Sequence, residues 1–292
     1  MRTERAGAWG WAKTSIGFKP EYLNFDRGIR VGNLEPHERI TRILKAGLET
    51  RYRQEFVTER WGRGVFWIWI GFLNRSNRNA KPISSHVSFG CSKFFVMVDT
   101  DDRLFKCGLQ VERGYLRAPA DARACRLRSD WDWHRLVNAL TPRGALEREL
   151  KRLTRDGFMV HAGSWSEPHE FSRKNLPGAV ALRRLLGCAP ANEWCGFQLY
   201  YAMAEQDVRR MSGPDLIETM VAIFEEVRPA MDLTMQAPLG GRTTEGPRKD
   251  HGRTTEGPRK DHGRTTEGRL DTPAARSSRP PHGRHDFAAG VD

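Results

Sequence analysis

Phe94-Phe-Val-Met-Val-Asp-Thr-Asp-Asp-Arg-Leu-Phe-Lys-Cys-Gly-Leu-Gln-Val-Glu-Arg113 is the stretch that decides the fold class of this chain. Its first five residues are apolar, and Asp99, Thr100, Asp101 and Asp102 supply turn chemistry. In residues 103–113, Phe105, Cys107, Leu109 and Val111 alternate with Lys106, Gly108, Gln110 and Glu112. A period of two over that length predicts an antiparallel hairpin whose return strand has one face in the core and one in water.

Upstream, Val65-Phe-Trp-Ile-Trp-Ile70, extended to Leu73, is apolar on both faces and reads as a central strand covered on both sides. Before it, Ile40, Ile43, Leu44, Leu48, Tyr52 and Phe56 recur at three- to four-residue spacing behind Pro36, which predicts a helix over residues 35–61. A short strand is expected at 87–91. Downstream, helices are expected over 129–140, capped by Ser129 or Asp130, and over 141–157, with Thr141 as cap and Gly157 as stop. Two more are expected over 176–186 and from Ser212 onward, the last with Leu216, Met220, Phe224 and Val227 on one face. Further strands are expected at 158–161 and 197–204. Helices and hairpin strands in blocks, without βαβ alternation, predict an α+β fold with a largely antiparallel sheet and packed helices.

Residues 1–34 lack clear periodicity and read as an N-terminal extension, with Phe18, Tyr22 and Phe25 among the aromatics that place part of it against the body. Residues 35–236 are expected to form a single α+β domain. Beyond them, the segment 241–251 recurs unchanged at 252–262 and starts a third time at Gly263. The repeated unit has two glycines, a proline and no large apolar side chain, so it cannot bury enough surface to offset the entropy of ordering its backbone. Residues 237–292 are therefore expected to be a disordered, low-complexity tail.

The chain carries 48 Lys+Arg against 36 Asp+Glu, a net charge of +12. From Ala237 onward there are 11 basic and 8 acidic residues, which leaves +9 to the body. A basic body permits an anionic partner. Five scattered cysteines suit a reducing cytoplasm, and the charged start Met1-Arg2-Thr3-Glu4-Arg5 with no apolar run behind it argues against a secretory signal. No apolar run approaches the roughly 20 residues of a membrane-spanning helix, so a cytoplasmic protein without a membrane partner is expected.

Dinucleotide, Walker and nucleophile-elbow motifs do not occur, and Cys188 and Cys195 lack the spacing of a zinc site. Neither a metal nor a cofactor is expected. Asp99, Asp101, Asp102, Lys106 and Glu112 lack the order of acids and lysine that a two-strand metal nuclease needs, and the aspartates read as turn residues.

Two cationic groups stand out. The polar stretch 74–86 holds Arg75, Arg78, Lys81, Ser84, Ser85 and His86 without an acid, and is longer than a typical connection. Its cations suit a phosphate or carboxylate, and His86 is the acid–base candidate near neutral pH. The second group, Arg123, Arg126 and Arg128, lies just before Trp131 and Trp133, an arrangement that can stack bases and neutralise phosphates.

The order of elements resembles an uncharacterised bacterial domain-of-unknown-function family, with an N-terminal amphipathic helix, a basic Lys-Pro loop, a Gly-bearing hairpin and a closing helical region with proline. The residues that carry the likeness are Lys81-Pro82 with His86, the strands at 94–98 and 105–111 with Gly108, and the stretch from Phe224 to Pro229, over about residues 35–233. The resemblance implies a fold and no mechanism.

The function expected first is a binding module for an anionic partner, nucleic acid foremost, through Arg75, Arg78, Lys81, Arg123, Arg126 and Arg128. An enzyme acting on a small anionic metabolite with His86 as acid–base is the alternative. A protein-interaction or structural role needs no site at all. The oligomeric state is left open.

Overall fold

The computed structural model describes residues 17–81, 90–120, 124–164 and 166–239. The expected tail beyond residue 239 lies outside the described residues, as do His86, Arg123 and positions 87–89 of an expected strand. Among the described residues nine strands form one antiparallel sheet: β1 (Leu23–Asn24), β2 (Gly28–Arg30), β3 (Phe56–Arg63), β4 (Phe66–Asn74), β5 (Lys93–Asp99), β6 (Leu104–Glu112), β7 (Met159–Ser164), β8 (Pro168–Phe171) and β9 (Cys195–Ala204). Their order is β1-β2-β4-β5-β6-β9-β7-β8, with β3 also paired to β4. The helices are α1 (Ile40–Tyr52), α2 (Arg75–Asn79), α3 (Asp132–Ala139), α4 (Ala145–Arg155), α5 (Ala179–Gly187), α6 (Glu205–Arg210) and α7 (Gly213–Thr234). The fold is α+β.

The deciding hairpin forms as its alternation dictates. Lys93 stands opposite Gln110, Phe95 opposite Gly108 and Asp99 opposite Leu104. In the turn, Asp99 Oδ1 accepts the backbone N–H groups of Asp101 and Asp102, each at 3.1 Å. One face of the sheet presents Phe72, Phe94, Val96, Phe105, Leu109, Phe197 and Leu199, all buried in the main core. α7 packs there. Ser212 caps it by accepting the N–H of Asp215, Pro214 fits its first turn, and Leu216, Met220, Phe224 and Val227 are fully buried. The Phe224 ring stacks on Phe94 at 4.7 Å and meets Phe72 at 6.3 Å.

Several expectations need correction. The helix expected over 35–61 is only α1. Arg53 takes a left-handed conformation (φ 51°) that ends it, and Phe56 opens β3. Helix and strand bury their apolar residues in the same core, so two stripes read as one. Trp131 holds the N-cap position of α3 and Gly144 that of α4, in place of Ser129, Asp130 or Thr141, and neither cap makes a side-chain hydrogen bond. At α4 the work passes to Glu147, which accepts the N–H of Arg143 at 2.5 Å. Gly90 and Cys91 lie outside any strand.

The ends of the body also extend beyond residues 35–236. Phe18, Leu23, Phe25 and Ile29 belong to the same core. At the other end Leu239 is buried, donates its N–H to Asp232 and accepts from the Gln54 amide.

The largest correction concerns β6. Its second face is not wet: Lys106, Gln110 and Glu112 are at most 8% exposed.

Candidate functional site

Strand pairing assembles that second face from seven strands. Glu59 and Trp61 on β3 stand opposite Gly71 and Trp69 on β4, which in turn face Phe95 and Met97 on β5. Across β6, Gln110 meets Gln198 and Gly108 meets Tyr200 on β9, while His161 on β7 lies between Gln198 and Glu170. Phe95 and Tyr200 are buried yet stand outside the main core cluster. The sheet therefore separates an apolar interior from a polar, aromatic face.

Two hydrogen-bonded groups occupy this face. In the first, Lys93 is 1% exposed and its ammonium donates to Glu112, lies 3.9 Å from Glu59, and sits 5.3 Å from the centre of the Trp69 ring. Gln110 donates its amide to the other oxygen of Glu112, and its carbonyl accepts the Trp69 indole N–H at 2.8 Å and the Gln198 amide at 3.0 Å. Burial alone would depress the Lys93 ammonium. Glu112 and Glu59 outweigh it, and the group is held above the usual lysine value. At Glu59 burial prevails instead, raising its carboxyl above the usual glutamate value against the pull of Lys93.

In the second group, Lys106 pairs with Asp99 at 2.9 Å, and Tyr200 donates its hydroxyl to Glu170 at 2.6 Å. Glu170 also bonds His161 Nδ1 at 3.0 Å. Burial pushes the Glu170 carboxyl up, but His161 and Tyr200 prevail and lower it. Tyr200 is raised in turn, by burial first and by Glu170 second.

The described residues of the expected site stand in different surroundings. Lys81 is unavailable to an anion: its side chain is fully buried, its ammonium lies 2.9 Å from Asp132, and it donates twice to Asn77. Arg75 pairs at 3.0 Å with the exposed Glu55. Arg78 is half-buried, and its charge favours the ionised form of Glu59. Arg126 and Arg128 are exposed and take no part in an ion pair among the described residues. Trp131 and Trp133 are each 2% exposed, so they fill space inside the protein and offer no stacking surface. Among the described residues no group of three or more His, Cys, Asp or Glu could hold a metal ion.

Residues of the polar face escaped notice because they are scattered singly over β3 to β9. No local signal marked the face: Lys106, Gln110 and Glu112 are what a solvated strand face ordinarily carries, and their burial shows only in the fold. No protein-family model matches the chain, and no curated protein matches it.

Proposed function

We infer that the chain is an enzyme that carries out acid–base chemistry on a small, polar substrate at the Lys93–Glu59–Glu112 end of the sheet face. The observation that carries this reading is Glu59. Of the two carboxylates beside Lys93 it is the accessible one, with 22% of its side chain exposed, and burial raises its proton affinity. A carboxyl of that kind exchanges protons nearer neutrality than an ordinary one. Glu112 is engaged by Lys93 and Gln110 and serves to hold the lysine in place. The face holds two ammoniums, Lys93 and Lys106, against the carboxyls of Glu59, Glu112, Asp99 and Glu170, a balance that disfavours a polyanion. Trp69 and Gln198, both partly exposed, offer it a ring surface and a hydrogen-bonding amide.

The test is turnover of chromogenic esters, phosphoesters and glycosides by the full chain and by Glu59→Gln. One class is expected to react, with the rate falling about 10²- to 10⁴-fold in a variant that unfolds no more readily than wild type. Turnover that survives Glu59→Gln defeats the reading. So does a panel that neither reacts nor shifts the Trp69 indole resonance.

Exposed Arg126 and Arg128 support a second reading, a surface for nucleic acid or another polyanion. Binding through phosphate neutralisation falls steeply with added salt. A chain that binds neither DNA nor RNA at low ionic strength excludes it.

A further inference from the structure

On the opposite side of the sheet from Glu59, a pocket of about 250 Å³ opens between the end of β2, the start of α1 and the β3–β4 hairpin. Its lining includes Arg39, Thr41, Arg60 and Trp67 and no acidic residue. A break in pairing register creates it. Trp61 stands opposite Trp69, but Gly62 stands opposite Trp67, so one extra β4 residue bulges there and Trp67 turns to the other face from Trp69. Arg60, next to Glu59 in the alternating strand, follows it.

Both guanidinium groups are fixed without being neutralised. The Arg60 guanidinium carbon sits over the Trp67 ring, 4.1 Å from its centre, a contact that holds the group without supplying an acceptor for its N–H donors. Arg39 donates Nε to the Leu34 carbonyl at 2.8 Å, which leaves its two terminal nitrogens for another acceptor. Neither arginine joins an ion pair among the described residues. Glu38, the acid next to Arg39, is occupied by the Tyr22 hydroxyl and the Glu35 N–H.

We propose that this pocket binds the phosphate group of a small phosphorylated molecule, held by the guanidinium edges of Arg39 and Arg60 and the Thr41 hydroxyl. A tetrahedral dianion suits these donors better than a carboxylate, because two arginine forks and a hydroxyl reach more than two oxygens. The volume admits several waters at about 30 Å³ each, enough for a phosphate and a short organic group. The site does not depend on proton transfer at Glu59, and a binding measurement reads it without any turnover.

Calorimetric titration of the full chain with glycerol 2-phosphate, inorganic phosphate and a 5′-phosphorylated oligonucleotide tests the proposal. Saturable one-site binding of glycerol 2-phosphate is expected, weakened at least tenfold by Arg60→Gln and by Arg39→Gln. Arg60→Lys, which keeps the charge and loses the fork, should fall between. Thr41→Val keeps both cations in a second background and should weaken binding less. The proposal is overturned if the wild-type chain does not bind the ester, or if the Arg39→Gln/Arg60→Gln variant binds it as tightly. Binding of the oligonucleotide alone also overturns it and shifts the pocket to nucleic acid.

Discussion

Lys81 and Asp132 are both wholly buried, and such a pair holds only when every remaining lone pair and proton is used. The Asp132 carboxylate accepts from Lys81, from the Asn77 amide, and from the backbone N–H groups of Ser92 and Gln236. Lys81→Met leaves that carboxylate buried without a counter-charge and should destabilise the protein by about 3–5 kcal/mol in urea unfolding. Adding Asp132→Asn should restore part of the loss, because the two changes share one interaction. Nothing in the local sequence around Lys81 reveals this, since its partner lies far along the chain; it reads as a loop cation until α2 and the start of α3 meet. On the polar face, Glu59 and Glu170 should give opposite pH signatures. Glu59 has a raised folded-state value, so its favourable contribution is present at low pH and is lost as pH rises through that value. Glu59→Gln should therefore gain stability relative to wild type as pH rises above the ordinary glutamate range. Glu170 is lowered, so its contribution is present above the ordinary glutamate range and is lost as pH falls. Glu170→Gln should be less stable than wild type at neutral pH, with the gap closing in acid. Parallel denaturation series at each pH check both; curves that shift in the same direction contradict the assignment.

The strand pairs and α7 were readable as elements because each repeats one period for its whole length. The β5–β6 hairpin keeps a period of two and α7 keeps 3.6 through Leu216, Met220, Phe224 and Val227. α1 and β3 were not separable, since Tyr52 and Phe56 continue one apolar spacing across the Arg53 turn, and their rings lie 6.1 Å apart in the folded protein. Period also says which residues share a face but not whether that face is covered, and this is why β6 looked half-solvated. Gly108 shows how tightly its covered face is built. A Cβ there would meet the Leu199 carbonyl oxygen at 2.1 Å and Tyr200 Cα at 2.7 Å, both on β9. Gly108→Ala would have to part β6 from β9 and should destabilise by about 1–3 kcal/mol. On the other side of the sheet, Phe224→Ala would empty the site stacked against Phe94 and cost about 3–5 kcal/mol. Equilibrium unfolding separates these from a surface effect, which should stay within about 0.5 kcal/mol.

At the scale of the molecule, the boundary of the body follows from hydrogen bonds that composition does not record. Glycine and proline enrichment marks a change near Ala237, yet the next few residues complete groups left open elsewhere. Ala237 donates its N–H to Asn77 Oδ1 at 3.0 Å, the same oxygen that holds the buried Lys81. Leu239 donates to Asp232, and its carbonyl accepts from Gln54, whose own oxygen accepts the Asn74 amide at 2.6 Å. Cutting after Gln236 would therefore leave Asn77, Asp232 and Gln54 each one partner short, and Asn77 is bonded to both members of the Lys81–Asp132 pair. Each buried group left unsatisfied costs about 1–3 kcal/mol. The first compact unit runs to Gly241, so a chain ending there keeps all of these bonds. Removing residues 242–292 should leave the unfolding midpoint where it is, and removing the five residues before them as well should lower it by several degrees. Equal midpoints for the two truncations would show that residues 237–239 rest on the body without securing it, and a fall already at 242 would place part of the stability in the repeats.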